Sequence, residues 1–345
     1  MKIMHYIGLD IHKKTISFCL KLADGTKVSE GKIVANRASL DRWMAGLSQP
    51  WMAAMEATMF TSWIYDHLKA HGEVKVANPC MLKAIAASKR KNDQIDAAKI
   101  ADLLRANLLP ECYMAPTAIR ESRRTLRYRN LLVKQMTMTK NKVSGMLMEC
   151  GIEYNKEKLH QKKYFRQLLD SREFMPESLP PLLRLSRTMV DSFSKMENQL
   201  VRSLEKEPAL QERVERLMTI PGVGPITALS WALETGEIAR FHNYKQAVSY
   251  CGLCGAEISS AGKQQRTPIS KQRNKQLQSV LIEAAKLAPR FNPELAVLHA
   301  QVLKKGNHNQ ATLAVARKLV AWLLAVDRRT TGFIRKETTT TPQAA

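Results

Sequence analysis

Four acidic residues in the first third of the chain have the types and positions needed to hold metal ions. They are Asp10 in YIGLDIHKK, Glu56 in WMAAMEATMF, and Asp93 with Asp96 in KNDQIDAAKI. Hard divalent cations such as Mg²⁺ or Mn²⁺ take oxygen ligands, and paired ions clamp the attacking and leaving oxygens of a scissile phosphate. The four carboxylates therefore predict an enzyme that cuts or transfers nucleic-acid phosphodiesters.

The elements around these acids predict a mixed α/β domain that brings them to one edge of a sheet. Strands are predicted at 4–10, 15–21, 27–35, 51–57 and 73–78, and helices at 39–47, 60–71 and 81–107, the last with a break near 88–92. Strands followed by alternating helix and strand are typical of a sheet covered by helices. Asp93 and Asp96 are three residues apart at the start of a helix, so they share one face.

Each acid also has an ordinary structural interpretation. Acids such as Asp93 in a first helical turn are favoured by the helix dipole and by capping, and Asp10 can simply end a strand. Glu56 is harder to explain, because a buried carboxylate without a partner is costly. Taken together in this order, the four acids favour the metal site, and Mg²⁺ is preferred over Mn²⁺ only on ligand type and availability.

The charge balance predicts a polyanionic partner. Lys and Arg number 54 against 31 Asp and Glu, which gives a formal net charge of +23. Each neutralised phosphate releases condensed counterions, so this excess favours nucleic acid. No apolar run approaches the ~20 residues of a membrane span, no signal-peptide pattern is present, and the six cysteines are scattered. We expect a reduced, cytoplasmic protein without membrane contact, associated with the nucleoid when on DNA.

Residues 117–210 are rich in Arg, Lys, Leu and Met and predict a long helical hairpin. Apolar residues at three- and four-residue steps form one helical stripe: Leu182, Leu185, Met189, Phe193, Met196, Leu200 and Leu204. The stripe would either pack on its own chain or form a coiled coil in an assembly. Arg123, Arg124 and Arg127 in this region are candidate phosphate contacts.

Residues 213–330 predict a second compact unit that is largely helical. Its Pro221-Gly222-Val223-Gly224 turn between apolar helices resembles a helix-hairpin-helix. The backbone near Gly222 and Gly224 could offer N–H groups to a phosphate, although a tight helix–helix turn explains the same residues. Cys251 and Cys254 form a lone CxxC, which is half a zinc site or a packed apolar turn.

Two adjacent serines in this unit precede a basic run. Ser259 and Ser260 are followed by Ala261-Gly262 and then by the cations Lys263, Arg266, Lys271, Arg273 and Lys275. The segment is either a flexible loop carrying a nucleophile beside phosphates, or a polar loop that grips a nucleic-acid backbone. No candidate base is adjacent in sequence, so the residues alone leave both interpretations open.

The ordered combination of these motifs resembles the DEDD transposases of the IS110 type, insertion-sequence recombinases related to the Piv invertases. The resemblance covers most of the chain. It rests on YIGLDIHK, MEAT, ANP and NDQIDAAKIADLLR at the front, and on IPGVGPITA, FHNYKQAVSYCGL and SSAGKQQRTPISKQRNKQL at the back.

The resemblance implies a division of the chain into four parts. It implies a RuvC-like (RNase H-fold) domain over 1–112, whose metal-binding tetrad is matched by Asp10, Glu56, Asp93 and Asp96. A helical coiled-coil region would follow over 113–212. A mostly helical transposase domain, with the helix-hairpin-helix-like turn and a catalytic serine, would cover 213–333, and a disordered tail 334–345.

The resemblance also implies a mechanism and partners. Strand cleavage would proceed through a covalent phosphoserine, and the family spacing places the nucleophile at Ser260. Many relatives have glycine directly after their serine, whereas this chain reads Ser-Ser-Ala-Gly, so Ser259 remains a second candidate. Several members are guided by a structured noncoding bridge RNA that pairs with donor and target DNA. Members work as dimers or tetramers, with the acidic domain of one subunit meeting the serine domain of another.

Three other functions are compatible with parts of the sequence. A RuvC-like nuclease or junction resolvase would keep the four acids and use metal-activated water. A non-catalytic nucleic-acid-binding protein would use only the PGVG turn and the basic tracts. An actin-like sugar kinase is suggested by IGLDI, but His12 and Lys13 stand where its phosphate loop needs glycine.

Overall fold

The chain folds into two compact units, residues 1–117 and 118–345. The computed structural model describes residues 4–85, 92–171, 175–260, 263–269, 272–329 and 331–334. Most of the tail predicted to be disordered, 335–345, lies outside these residues. The predicted helical region 113–212 falls almost entirely in the second unit, and the finer division of the chain stays a prediction.

A five-stranded sheet forms the centre of the first unit. Its strands are β1 (His5–Ile11), β2 (Thr15–Lys21), β3 (Lys27–Val34), β4 (Trp51–Glu56) and β5 (Glu73–Ala77), in the spatial order β3-β2-β1-β4-β5. β1, β2 and β3 are antiparallel, and β4 is parallel to both β1 and β5. Since parallel neighbours need crossover connections, helices α1 (Arg37–Ala45) and α2 (Thr61–Lys69) lie between these strands in sequence. The predicted mixed α/β sheet is confirmed.

Successive side chains along the strands point to opposite faces of the sheet, and each face packs against its own layer of helices. Leu9 of β1 and Met55 of β4 belong to a core with Leu40, Ile64 and Leu68 of α1 and α2. On the opposite face, smaller residues of β4 and β5 pack against α4 (Asp93–Arg105) and the shorter α3 (Pro79–Ile85). The sheet is therefore covered by helices on both sides, as the order of its elements predicts.

A helical hairpin opens the second unit, as predicted. It consists of α5 (Thr117–Glu149) and α7 (Leu179–Glu205), with α6 (Lys162–Asp170) between them. Leu147 near the end of α5 shares a buried cluster with Leu183 near the start of α7. Arg129 near the start of α5 forms an ion pair of 2.5 Å with Glu197 near the end of α7. The two long helices therefore run antiparallel.

The apolar stripe of α7 is only partly buried by its own chain. Leu204 is buried, whereas Leu182, Leu185, Met189 and Met196 are between 41% and 59% exposed. Packing on the same chain therefore does not account for the whole stripe. Its use in a coiled-coil assembly stays a prediction.

The rest of the second unit is a helical core with one β-hairpin. Its helices are α8 (Pro208–Met218), α9 (Pro225–Thr235), α10 (Tyr244–Tyr250), α11 (Lys275–Leu287), α12 (Pro293–Lys305) and α13 (His308–Arg329). α9 is buried from Thr227 to Thr235, as expected of a helix that is apolar on nearly all sides. β6 (Gly255–Ser260) and β7 (Lys263–Ile269) pair antiparallel. The prediction of a loop around Ser259 and Ser260 is wrong, because both residues lie on β6.

No helix among the described residues combines the length and the apolar character that a bilayer crossing requires.

Candidate metal centre and serine hairpin

Asp10 and Glu56 occupy corresponding positions on two neighbouring parallel strands. The register of β1 on β4 runs up to the pair Leu9–Met55, so Asp10 and Glu56 are the next residues on the two strands. Because side chains alternate between faces, the two carboxylates point to the same side of the sheet. Both residues are half-buried.

Helix α4 covers this side of the sheet at very short range. A β-carbon built on Gly8, two residues before Asp10, would lie 2.0 Å from the carbonyl oxygen of Ala97 and 2.5 Å from the amide nitrogen of Ala101. Ala54, two residues before Glu56, packs in the same cluster as Ile100. The small residues of β1, β4 and α4 thus allow the helix to lie directly over the strands that carry the acids.

The start of α4 supplies the other two acids. Asn92 caps the helix, its Oδ1 accepting a hydrogen bond of 2.8 Å from the Ile95 amide. Asp93 and Asp96 follow in the first turn. Since Asn92 provides the side-chain cap, capping does not explain the presence of Asp93.

One group of potential metal ligands forms where β1 and α4 meet. Among the described residues, Asp10, His12 and Asp93 each offer a ligand atom, and these atoms lie within 4.8 Å of one another. His12 Nε2 is 3.2 Å from Asp10 Oδ2 and 3.5 Å from Asp93 Oδ1. The predicted convergence of strand end and helix start is therefore present for Asp10 and Asp93.

His12 was not predicted as part of the site, although the sequence contains a signal for it. It lies two residues beyond Asp10, and alternate residues of an extended segment share a face. The type of residue also fits, because a neutral imidazole is a common metal ligand.

The electrostatics of the site favour a bound cation. Burial raises the pKa of the Asp10 carboxyl, His12 lowers it, and the charges of Asp93 and Asp96 raise it again, so that the pKa stays above its ordinary value. Crowded, partly buried carboxylates are stabilised in their charged form by a nearby divalent ion. The donor set therefore fits an oxygen-preferring metal such as Mg²⁺ or Mn²⁺.

Polar residues of β2 and β3 are in register with Asp10 across the sheet. Lys32 of β3 donates a hydrogen bond of 3.0 Å to Asp93, and this bond, opposed by desolvation, lowers the pKa of Asp93 below its ordinary value. Ser17 pairs with Asp10 on one side and with Lys32 on the other. It is buried, and its hydroxyl has no hydrogen-bond partner among the described residues. Neither Ser17 nor Lys32 was predicted from the sequence.

The serine hairpin, defined as β6 and β7 together, carries the other candidate catalytic group. Ser259 pairs with Gln264 and Ser260 with Lys263, which places Ser260 at the end of β6 next to the connection 261–262. The side chains of Ser259, Ser260, Lys263 and Arg266 lie outside the described part of the structure, as does the whole of Lys271. Their roles stay predictions.

A groove with a volume of about 1070 Å³ borders the PGVG turn in the second unit. Gly222 has φ +90°, and a β-carbon there would lie 2.7 Å from that of Ala288, so only glycine fits this turn. Gly224 precedes α9, whose N-terminus has no side-chain cap. The cationic side chains along the groove include Lys134 and Lys275.

Two of the three arginines predicted to contact phosphate also have partners inside the protein. Arg127 donates two hydrogen bonds of 2.8 Å to Glu234, and Arg123 donates two, of 3.0 and 2.8 Å, to the carbonyl of Leu233. Arg124 is exposed. Phosphate contact by the three arginines, by Arg273 and by Lys275 stays a prediction.

The CxxC pair matches a packed turn. Cys251 is fully buried, and burial raises the pKa of its thiol to about 12. Metal ligation and thiol exchange both use the thiolate, and this environment disfavours it.

Two models of protein families match the chain. A model of IS110-type DEDD transposases matches residues 7–152, and a model of the transposase IS116/IS110/IS902 family matches residues 214–300. The first match contains all four acids, and the second contains the PGVG turn and the serine hairpin.

Curated relatives are similar over almost the whole chain. The transposase for insertion sequence element IS1328 of Yersinia enterocolitica is 26% identical over 329 residues, which are 92% of this chain and 96% of the relative. The transposase for insertion sequence element IS1111A of Coxiella burnetii is 26% identical over 349 residues, covering 96% of this chain and 92% of the relative. A probable family 20 transposase of Pseudomonas aeruginosa is 26% identical over 70% of this chain and 72% of its own length.

Proposed function

The chain belongs to the IS110 family of DEDD transposases, and we propose that it moves an insertion sequence by cutting and rejoining DNA through a phosphoserine. The observation that carries this proposal is the meeting of carboxylates from β1 and the start of α4, with Glu56 next to Asp10 on β4. The strand order β3-β2-β1-β4-β5 supports a RuvC-like (RNase H-fold) assignment for the first unit.

We propose that Asp10, Glu56, Asp93 and Asp96 hold Mg²⁺ or Mn²⁺. Such ions, when bound, polarise the scissile phosphate and neutralise charge on the leaving oxygen. The chain's own residues prepare this site: Asp10 is held in a partly desolvated position, and Lys32 donates a hydrogen bond to Asp93, a place that a bound divalent ion would take. His12, within reach of both carboxylates, is a further candidate ligand.

The serine supplies the covalent step. Its Oγ would lose its proton and form a bond to phosphorus, while the bond from phosphorus to one deoxyribose oxygen breaks. One proton would pass to that leaving oxygen, so that no proton is gained or lost overall. Rejoining reverses the exchange with the hydroxyl of another strand end. Each broken phosphodiester bond is replaced by another phosphodiester bond, so the reaction needs no nucleoside triphosphate. Ser260 is the preferred nucleophile and Ser259 the second candidate.

The proposed partners are donor DNA, target DNA and a structured bridge RNA. The net charge of +23 and the groove beside the PGVG turn, with Lys134 and Lys275 along it, support binding of several polyanionic backbones. The RNA would supply the choice of sequence by base pairing. The protein would supply backbone contacts from Gly222, Gly224 and the cations of the serine hairpin.

We also propose that the active site is shared between subunits of a dimer or tetramer. The acids belong to one compact unit and the serines to the other. The exposed part of the α7 stripe supports self-association, since aligned apolar residues on a long helix favour coiled-coil pairing.

The test uses the full-length protein, RNA transcribed from the end of its element, and labelled DNA that carries the donor junction. With Mg²⁺ present, wild type is expected to give a DNA-linked protein band on a denaturing gel. Ser260→Ala is expected to lose the band, while Ser259→Ala keeps it. Asp10→Asn tests the metal site separately, and it should also lose the DNA-linked band.

Two outcomes would change the assignment. Cut DNA ends without linked protein would indicate a metal-dependent nuclease or junction resolvase that uses water. Binding without cutting, unaffected by Asp10→Asn, would indicate a non-catalytic nucleic-acid-binding protein.

A further inference from the structure

A buried carboxylate lies at the base of the serine hairpin. Glu234, near the end of α9, is 0% exposed. Its carboxylate accepts two hydrogen bonds of 2.8 Å from Arg127 of α5 and one of 2.8 Å from the amide of Asn274. Arg123 lies 3.7 Å away. A buried charge with this many donors is held in one geometry.

The same residues join the two ends of the chain segment that contains the hairpin. Tyr250, just before the hairpin, donates its hydroxyl proton to the backbone carbonyl of Glu234 at 2.8 Å. Asn274, just after it, donates its backbone N–H to the carbonyl of Tyr250 at 2.9 Å. Asn274 also caps α11 with its side-chain oxygen. Glu234 therefore contacts both the entry to the hairpin and its exit.

Close backbone packing completes this base. Gly252 has φ +68°, and a β-carbon there would lie 2.3 Å from that of Arg273. Gln278 of α11 donates a hydrogen bond of 2.6 Å to the carbonyl of Gly252. The chain segments that precede β6 and follow β7 are thus fixed to one another and to α11.

We propose that Glu234 is a positioning residue, which through Asn274 and Tyr250 sets the orientation of the serine hairpin relative to α5. The inference rests on the proposed function only in assigning the reaction to the hairpin serines. Glu234 touches no reacting atom, and its effect is to hold the nucleophile where an in-line attack is possible.

The charge of Glu234 supports this role. Burial alone would raise the pKa of its carboxyl, but the hydrogen bonds from Arg127 and Asn274 and the arginine charges outweigh burial, so the pKa lies below its ordinary value. The group is therefore ionised at neutral pH. A glutamine in place of Glu234 would turn an N–H donor toward Arg127 or Asn274. Both of these residues donate hydrogen bonds to the carboxylate, so one of the donors would then lack an acceptor.

The chain offers a matched control in a second buried ion pair of the same unit. Asp327 of α13 is 8% exposed and accepts hydrogen bonds of 2.8 and 2.6 Å from Arg213, together with one of 2.8 Å from the Trp231 indole. These partners lie on α8 and α9. Asp327→Asn therefore removes a buried, arginine-bound carboxylate without touching either end of the hairpin.

The experiment compares full-length wild type, Glu234→Gln, Tyr250→Phe and Asp327→Asn by two measurements. Amide hydrogen exchange in peptides covering 255–274 is measured at a fixed interval below each variant's own melting temperature. We expect exchange on the order of 10-fold faster in Glu234→Gln, a smaller increase in Tyr250→Phe, and the wild-type rate in Asp327→Asn. This readout is independent of the chemistry.

The second measurement is the rate of covalent adduct formation at saturating DNA, with the DNA affinity determined separately. A positioning role predicts a rate on the order of 10-fold to 100-fold lower in Glu234→Gln, with DNA affinity unchanged. A purely structural role predicts equal losses in Glu234→Gln and Asp327→Asn.

Each outcome has a defined meaning. Equal exchange in 255–274 for Glu234→Gln and Asp327→Asn would overturn the inference. If Glu234→Gln does not fold, Tyr250→Phe decides, and wild-type exchange in that variant would overturn it. Faster exchange in Glu234→Gln together with full activity of both Ser260→Ala and Ser259→Ala would support the anchoring of the hairpin while rejecting the serine mechanism.

Discussion

Gly8 of β1 lies in direct backbone contact with Ala97 of α4. A β-carbon at Gly8 would come within 2.0 Å of the Ala97 carbonyl oxygen, a distance that no side chain tolerates. This contact fixes the height of α4 above the sheet, and two of the four acids, Asp93 and Asp96, stand at the start of that helix. The absence of a side chain at Gly8 therefore helps to set the positions of Asp93 and Asp96 in the proposed metal centre.

Gly8→Ala is expected to displace α4 and to weaken metal binding. Overpacking of this kind costs about 1–3 kcal/mol of unfolding free energy, measurable by urea denaturation, and Mn²⁺ affinity measured by calorimetry should fall with it. Gly145→Ala is the control. Gly145 lies within α5 with nothing within 4 Å of the added carbon, so alanine there should stabilise by about 0.4–1 kcal/mol. Wild-type metal affinity in Gly8→Ala would contradict the packing argument.

Asp10→Asn is expected to separate the stability of the metal-free protein from its response to metal. Burial and the charges of Asp93 and Asp96 disfavour the ionised Asp10, so the amide should leave the melting temperature in EDTA unchanged or raise it. The increase that Mg²⁺ or Mn²⁺ produces in wild type should disappear. Asp24→Asn, in an exposed turn where Asp24 accepts a hydrogen bond from the Thr26 amide, controls for net charge. A metal-induced increase that persists in Asp10→Asn would remove Asp10 from the ligand set.

Glu234 predicts a specific dependence of stability on pH. Burial raises the pKa of its carboxyl, but the hydrogen bonds from Arg127 and Asn274 and the arginine charges together outweigh burial, so the folded pKa lies below its ordinary value. A lowered carboxyl pKa adds stability that is fully present above the unfolded pKa and is lost as the pH falls through the folded value. Urea unfolding followed from pH 7 to pH 3 should therefore show a smaller loss of stability in Glu234→Gln than in wild type. Parallel pH profiles for the two proteins would contradict the ion pair.

The cysteines are expected to differ widely in reactivity. Cys80 is exposed, whereas Cys251 is buried with its thiol pKa raised to about 12. A disulfide reagent at pH 8 should label Cys80 within minutes and Cys251 only on unfolding, because the thiolate is the nucleophile. Peptide mass spectrometry of the labelled protein measures both. Rapid labelling of Cys251 in the folded protein would revive a redox or metal role for the CxxC.

The sequence by itself determined the elements of the first unit and the identity of the acids. Alternation in TISFCLK and the apolar runs around Asp10 and Glu56 are local signals, and local hydrophobic pattern predicts strands well. The turn at Asp24-Gly25 and the cap at Asn92 are equally local. For the same reason the sequence located the helices of the first unit and the long hairpin of α5 and α7, whereas it predicted the rest of the second unit only as largely helical.

Only the tertiary structure decided which partners surround the functional groups. His12 and Lys32 reach Asp93 because strand register and the position of α4 bring together residues up to 81 positions apart, and register is set by pairing across the sheet. Arg127 turns toward Glu234, 107 residues away, which no local pattern encodes.

The strand assignment of Ser259 and Ser260 is also tertiary, because polar residues near glycine favour turns until a partner strand supplies their hydrogen bonds. Composition and spacing specify what chemistry is available. Contacts between distant segments specify which side chains are held in place to carry it out.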